Sequence, residues 1–190
     1  MQPETIAFLI CCGTCLSQLL DPICPWISYK SCFNMTQFQG TWYQQAKFGS
    51  VLFGGLTTCG VLECEYDPEY DELYISYSST VLQNLNQVNY SGDAVFRHTN
   101  KRDGVLQITW DYDPAYKQEP VTRLYIVETN YDDFAVLATC RKKVLSGWIV
   151  TRKQDFLLEE GSLKILENIT KAMENVLNKG ILLFDAQMFC

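Results

Sequence analysis

The feature of this 190-residue sequence that most constrains its fold is a series of short segments, between Gly40 and Arg152, in which apolar and polar residues alternate. Alternation with a period of two is typical of strands that bury one face, and clusters of turn-forming residues separate the segments. These clusters include Asp67-Pro68, Ser91-Gly92-Asp93, Asp113-Pro114 and Ser146-Gly147. Eight strands are predicted: Trp42–Phe48, Cys59–Tyr66, Glu72–Thr80, Gln87–Arg97, Gly104–Tyr112, Val121–Thr129, Phe134–Arg141 and Trp148–Arg152.

An amphipathic helix is predicted after the strands, in segment 161–180. Ser162 can cap its N-terminus, and Gly180 stands where a C-terminal residue with positive φ is expected. Apolar residues recur at helical spacing along it and can cover an outer face of the sheet. They are Leu163, Leu166, Ile169, Met173, Val176 and Leu177.

The order of these elements predicts an all-β fold, an eight-stranded antiparallel up-and-down β-barrel with the C-terminal helix packed outside. Closure is favoured because it removes the exposed edges of a sheet. A barrel of eight strands has room for one small ligand. The strand pattern alone leaves a β-sandwich as the alternative.

The formal charge of −7 and the pI near 4.7 argue against partners that are bound through an excess of basic residues. Nucleic acids and anionic membrane surfaces belong to that class. No segment after the N-terminal region is long and apolar enough to predict a transmembrane helix. We therefore expect neither a nucleic-acid partner nor a membrane span.

The N-terminal segment contains an uncharged apolar run from Ile6 to Leu16 that is too short to cross a bilayer. It predicts a signal peptide over residues 1–17, cleaved after Ser17, and a secreted single domain over 18–190. Glu4 and the lack of Lys and Arg in this segment are atypical of a signal peptide. A buried N-terminal helix is the alternative.

Cysteine usage also indicates export to an oxidising compartment. Of nine cysteines, three lie in the predicted signal peptide, and the spacing of the rest is unlike that of zinc fingers. The six that remain are Cys24, Cys32, Cys59, Cys64, Cys140 and Cys190. Three N-x-S/T sequons predict glycosylation at Asn34, Asn89 and Asn168.

Three short motifs lie in order along the predicted strands. Gly40-Thr41-Trp42 opens the first strand and resembles the G-x-W signature of the lipocalin family. Thr129-Asn130-Tyr131 resembles the T-D-Y turn between the sixth and seventh strands, with Asn130 in place of the usual Asp. Arg152 ends the eighth strand and resembles the arginine of the third motif. The resemblance implies a closed barrel that carries a small hydrophobic ligand.

The cysteine layout resembles the branch that contains apolipoprotein D, insecticyanin and bilin-binding protein. That branch pairs the first such cysteine with the third and the second with the last, which implies the disulfides Cys24–Cys140 and Cys59–Cys190. Cys32 and Cys64 are then left to pair with each other, although six cysteines allow fifteen pairings. The implied ligand is a bilin, carotenoid, fatty acid, steroid or retinoid. No cofactor is required. If a cofactor-like ligand is bound, the resemblance implies a tetrapyrrole or a carotenoid.

Strand alternation predicts which residues face the interior. An arginine at the end of the last strand can lie across the ring of Trp42 as a cation–π lid, and alternation is counted from that pair. Cys140 must reach a segment outside the barrel, which fixes the faces of the seventh strand. Its inward residues are then Ala135, Leu137 and Thr139. The predicted ligand-lining residues are Ala46, Phe48, Leu124, Ile126, Ala135, Leu137, Trp148 and Val150. The alternative is a core in which these side chains simply pack on one another.

Catalysis is not predicted, and no residue is assigned to a catalytic or metal site. His98, the one histidine, lies at a strand end, where an exposed role is expected. Two other classes remain open beside a carrier. An isomerase on a lipocalin scaffold would need a free cysteine in the cavity. An interaction protein or pigment-complex subunit would bind a receptor or further copies of itself.

Overall fold

A computed structural model describes residues 27–49, 57–111, 121–141, 144–156, 162–174, 182–185, 187 and 190. The predicted signal segment, Cys24 and Gly180 lie outside these residues. In chain order the elements are α1 (Met35–Phe38), β1 (Gly40–Gly49), β2 (Thr57–Asp67), β3 (Glu72–Val81), β4 (Gln87–Phe96), β5 (Val105–Trp110), β6 (Val121–Thr129), β7 (Phe134–Arg141), β8 (Val144–Thr151), α2 (Ser162–Glu174) and β9 (Leu182–Phe184). Neither helix has the length and hydropathy that a membrane span needs.

The first eight strands form a closed antiparallel barrel, as predicted. Neighbours in sequence pair with each other, and β1 pairs with both β8 and β2. The pairing of β1 with β2 is short, since only Gly40–Tyr43 meets Val61–Cys64. Beyond it β9, which the sequence did not predict, pairs with β1 through Ala46–Phe48. The wall between β1 and β2 is therefore completed by the C-terminal segment.

Predicted strand bounds agree residue for residue with β6 and β7, but β8 begins four residues earlier than predicted. Ser146-Gly147, which was read as a turn, lies inside β8. A Cβ on Gly147 would come within 2.2 Å of the Phe48 ring and 2.5 Å of the Leu137 carbonyl oxygen. The glycine therefore permits close packing between strands instead of a turn. Gly92 belongs to another turn-forming cluster but also to the predicted strand Gln87–Arg97, and it lies inside β4.

The barrel wall separates two apolar clusters. The inner cluster lies inside the barrel and contains Trp42. The outer cluster lies beneath α2, whose Ile169 and Ala172 pack on β7 and β6. Residues of β7 alternate between the clusters as predicted, so the helix covers Phe134, Val136 and Ala138.

The segment before β1 crosses one end of the barrel and closes it. Backbone hydrogen bonds attach it to neighbouring elements, from Lys30 N to Ile126 O (2.8 Å) and from Phe33 N to Arg102 O (2.8 Å). The short helix α1 follows, and Asn34 caps it by accepting from Gln37 N. Phe38 at its end is fully buried. This end is the floor of the barrel.

The disulfide Cys59–Cys190 is present, as predicted, with a Cα–Cα distance of 5.5 Å. Cys140 is disulfide-bonded, while its predicted partner lies outside the described residues. The predicted pair Cys32–Cys64 is wrong, because both thiols are free. Cys64 occupies an inward position of β2 and is buried in the inner cluster, whereas Cys32 is exposed on the segment that crosses the floor from outside.

Candidate ligand-binding site

The floor of the barrel is built around the ring of Trp42. The side chain has no solvent exposure, its Nε1 donates to the carbonyl of Phe38 (2.9 Å), and the two rings stack at 5.0 Å. The guanidinium of Arg152 lies 3.6 Å from the centre of the Trp42 ring, which confirms the predicted cation–π contact. A desolvated contact of this kind contributes about 2 kcal/mol.

Arg152 also ties three segments of the floor together through carbonyl groups. Nε donates to Tyr131 O (2.9 Å), Nη1 to Thr41 O (3.2 Å) and Nη2 to Gln37 O (3.1 Å). Burial lowers the pKa of the guanidinium, yet the group stays charged because its ordinary pKa is so high. Gly40 adopts a φ of +101°, and a Cβ there would lie 3.0 Å from Nη1 of the arginine. Glycine therefore suits this position for both space and backbone conformation.

The turn Thr129-Asn130-Tyr131 positions the carbonyl that Arg152 needs. Thr129 Oγ1 accepts from Tyr131 N (2.9 Å) and donates to Phe134 O (2.8 Å). Oδ1 of Asn130 accepts from the N–H groups of Asp133 (3.0 Å) and Phe134 (3.1 Å). An asparagine oxygen can accept these bonds as an aspartate oxygen would, so the departure from the usual Asp preserves the turn.

Above the floor, the structure places six of the eight predicted lining residues toward the interior. Five of them are buried in the inner cluster, and Trp148 is partly buried against it. The five are Leu124, Ile126, Ala135, Leu137 and Val150. All six lie on β6, β7 and β8, so this side of the barrel presents a mostly apolar wall.

The prediction was wrong for Ala46 and Phe48, which belong to the outer cluster. The register of β1 against β8 shifts between Gln44 and Ala46, which marks a β-bulge. A bulge adds one residue to a strand and reverses the faces of those that follow. Alternation counted from Trp42 therefore holds through Gln44 and fails beyond it.

A hydroxyl group interrupts the apolar wall near Trp148. Thr139, only 3% exposed, shares the inward face of β7 with Leu137, and its Oγ1 has no hydrogen-bond partner among the described residues. Ser146 lies directly opposite on β8 and is also buried. Thr139 was expected to face inward; Ser146 was missed because its neighbour Gly147 suggested a turn, although it stands two residues before Trp148.

A second polar group of residues fills the seam between β1 and β2. The carboxylate of Asp185 is 8% exposed and accepts from Gln44 Nε2 (2.7 Å) and from Cys59 N (3.0 Å). Thr58 Oγ1 also donates to it. Tyr77 extends the network, because its hydroxyl donates to Gln44 Oε1 (3.0 Å), and burial raises the pKa of that hydroxyl. No local signal in the sequence could have placed Asp185 beside β2.

Lys47 lies next to this seam and donates to Thr57 Oγ1 (2.8 Å) and to the Thr57 carbonyl oxygen. Burial lowers the pKa of its ammonium group, and the nearby Asp185 carboxylate partly offsets that effect. The two buried charges at the seam therefore already have protein partners.

Cys64 is a free thiol in the inner cluster, but its surroundings suppress its reactivity. Burial raises its pKa to about 12, and the nearby Arg152 offsets this only in part. The reactive form of cysteine is the thiolate, which is scarcely populated at neutral pH when the pKa is raised so far. Within the described ranges, no group of three or more His, Cys, Asp and Glu residues is arranged to hold a metal ion.

Comparison with known proteins shows what this barrel resembles. No protein-family model matches the chain. The Lazarillo protein of Schistocerca americana is 25% identical over 153 residues, which cover 77% of this chain and 67% of that protein.

Solved structures share the fold at lower sequence identity. Insecticyanin from the tobacco hornworm Manduca sexta has a TM-score of 0.69 at 18% identity, covering 86% of this chain and 85% of its own. The amine-binding protein of Rhodnius prolixus, solved as a tryptamine complex, has a TM-score of 0.65 at 14% identity and covers 80% of both chains. Lobster apocrustacyanin A1 has a TM-score of 0.58 at 15% identity, covering 86% and 93%.

Proposed function

We propose, from the premise that this chain has the lipocalin fold, that it carries a small hydrophobic ligand inside its barrel. The observation that carries the proposal is the inward hydroxyl of Thr139, buried without a partner in a mostly apolar wall. A buried polar group left unpaired costs about 1–3 kcal/mol, which a ligand that supplies a hydrogen bond would recover. Apolar pockets with a few converging polar groups are the usual form of small-molecule sites.

The charges at the seam favour a neutral ligand. A cationic amine, such as the tryptamine bound by the Rhodnius prolixus protein, would be stabilised by a carboxylate with free acceptor sites. Asp185 instead accepts from four donors, which are Gln44 Nε2, Thr58 Oγ1, Cys59 N and Gly60 N. Lys47 is occupied by Thr57. We therefore infer a ligand with an apolar body and one neutral polar group, as in steroids and retinoids.

The test compares two neutral ligands on two threonine variants. Thr139→Val removes the buried hydroxyl at nearly constant shape, and Thr109→Val does the same at an exposed position of β5. We expect Thr139→Val to weaken binding of retinol by roughly 2- to 12-fold, the equivalent of one net hydrogen bond, and to leave β-carotene binding unchanged. Fluorescence titration measures the first ligand and absorbance the second.

The result that would overturn the proposal is a folded monomer that saturates with neither retinol, β-carotene nor the neutral probe N-phenyl-1-naphthylamine. Such a monomer would favour an interaction protein or complex subunit whose interior is incidental. Equal loss of retinol binding in both threonine variants would reject the subsite but keep the carrier. Native mass spectrometry and an absorption spectrum of protein from its natural source would identify the guest, since a bilin or carotenoid is coloured.

The proposal includes export, with loss of residues 1–17. It is supported by the disulfide Cys59–Cys190 and by the disulfide-bonded state of Cys140, because such bonds persist in oxidising compartments. N-terminal sequencing of the natural protein tests this part by itself. A protein that still began at Met1 would contradict it.

The environment of the Cys64 thiol also fits a carrier better than an isomerase. The isomerase hypothesis needs a free thiol in the cavity, and Cys64 is free and faces inward. However, Cys64 lies at the floor, where its backbone is opposite Gly40 in the pairing of β1 with β2. Its pKa is raised to about 12, which leaves almost no thiolate for catalysis. We expect no turnover that depends on this thiol.

A further inference from the structure

We propose that a groove of about 400 Å³ on the outside of the barrel holds the first sugar residues of an N-linked glycan on Asn168. The groove lies between α2 and the end of the barrel where β6 turns into β7. It is separate from the barrel interior, and the inference depends on the proposed export because N-glycans are added in the secretory pathway.

The position of Asn168 on its helix directs a glycan toward the groove. Asn168 is exposed and belongs to the sequon Asn168-Ile169-Thr170, while Ile169 packs into the outer cluster. Lys171 and Ala172 follow at spacings of three and four, which places them on the same side of the helix as Asn168. All three helix residues line the groove. The asparagine of the sequon thus borders a space on its own protein.

The lining has the chemistry that a sugar ring needs. Phe134 and Ala172 are buried apolar residues that can contact the carbon face of the ring. Lys30 and Glu128 also line the groove and form an ion pair at 2.6 Å. An ammonium has three N–H donors and a carboxylate about four acceptor sites, so both groups can also bind sugar hydroxyls. The groove volume is within the range of about 300–1,000 Å³ seen for small-molecule pockets.

The other two sequons are matched controls, because neither asparagine lines the groove. Asn34 is exposed, and its Oδ1 caps α1 by accepting from Gln37 N. Asn89 is exposed on β4, opposite Ser78 of β3. A glycan on Asn89 would extend from a strand, with no adjoining space of this kind formed by α2.

The first measurement is the rate at which a glycosidase removes each sugar. The full chain is produced in a glycosylating secretory host, and peptide mapping gives the occupancy of each sequon. In the native protein, peptide N-glycosidase F should release the Asn168 glycan at least roughly tenfold more slowly than the Asn89 glycan. Denaturation should abolish this difference, because local opening is what admits the enzyme.

The second measurement isolates the effect of the sugar on stability. Asn168→Gln should lower the unfolding midpoint by roughly 2–4 °C in protein from the glycosylating host, while Asn89→Gln should not change it. In protein from a bacterial periplasm, which adds no N-glycan, the same Asn168→Gln substitution should leave the midpoint unchanged. A contribution of the asparagine side chain itself would appear in both hosts.

Two results would overturn the inference. One is an Asn168 that stays unmodified when Asn89 is modified. The other is an Asn168 glycan that the enzyme releases as fast as the Asn89 glycan, with no change in stability when the glycan is removed. That result would mean that the groove binds another ligand or none. If the protein is not exported, all three sequons stay unmodified. That result would contradict the proposed export as well as this inference.

Discussion

Trp42 and Trp148 show how one residue type takes different roles at two levels of the same barrel. Trp42 lies between Phe38 and Arg152 at the floor, and its side chain has no solvent exposure. Trp148 is partly buried on β8, four residues before Arg152, which follows the last residue of that strand. At the usual rise per residue it lies about 13 Å nearer the open end.

The two tryptophans therefore predict opposite outcomes on truncation. Trp42→Ala should cost about 3–5 kcal/mol of unfolding free energy, because it leaves a cavity in packed surroundings. Trp148→Ala should cost less and weaken the binding of N-phenyl-1-naphthylamine. Denaturant midpoints and probe titrations on both variants provide the test. Unfolding by Trp148→Ala with an unchanged midpoint for Trp42→Ala would reject the orientation of the barrel.

The buried thiol of Cys64 predicts a loss of stability at alkaline pH. Its pKa is about 12 in the folded state and near 9 in an unfolded chain, so stability declines as the pH rises from about 9 toward 12, where only the unfolded chain can ionise it. Urea unfolding at pH 8 and pH 10 should show a larger loss for the wild type than for Cys64→Ala. Cys32→Ser, at the exposed free cysteine, should behave as the wild type. Equal losses in all three proteins would contradict the assigned pKa.

Among the elements, the three-residue strand β9 joins the C-terminal segment to the seam between β1 and β2. It extends the sheet beside β1, and the adjoining Asp185 accepts from Gln44, Thr58 and Cys59. The predicted strands could be read from periodicity and turns, because those signals are local. The register of β9 depends on partners more than a hundred residues away in the chain.

Substitution of Asp185 tests this role. Asp185→Asn keeps the shape but replaces one acceptor oxygen with a donor amide, so bonds from Thr58 and Cys59 or from Gln44 must be lost. We expect a loss of about 1–3 kcal/mol in unfolding free energy. Asp155→Asn, at an exposed carboxylate, is the matched control. If the two variants have equal midpoints in urea, the carboxylate does not hold the seam.

The first strand shows why the candidate site could be predicted only in part. Motif residues Gly40, Trp42 and Arg152 have roles that follow from side-chain chemistry, and alternation placed Leu137 and Trp148 correctly on the inner face. The error at Phe48 came from a bulge in β1, which is visible only as a shift in its register against β8. A one-residue shift in pairing leaves no mark in the residues of the strand itself.

For the molecule as a whole, the Cys59–Cys190 disulfide links the C-terminal segment to the barrel across 131 residues of sequence. Closing a loop of that length restricts the unfolded chain and is assigned about 5 kcal/mol by the chain-entropy model, which ignores native strain. The double variant Cys59→Ser/Cys190→Ser should therefore unfold at a clearly lower guanidinium concentration than the wild type. Cys32→Ser should not, since that thiol is unpaired. Coincident unfolding curves for all three would rule out this stabilisation.

Closure of the barrel by β1 and β8 also sets the order of events in folding. Tyr43 pairs with Thr151, so the sheet between them can form hairpin by hairpin while this last pairing waits for a very long loop to close. Folds dominated by such distant contacts reach the native state in milliseconds to seconds, far slower than helical bundles. Until then two strand edges are unpaired and can bind other chains, so partly folded molecules at high concentration are prone to aggregate. Dilute, slow refolding is consequently the regime in which this protein should give the highest yield of native monomer.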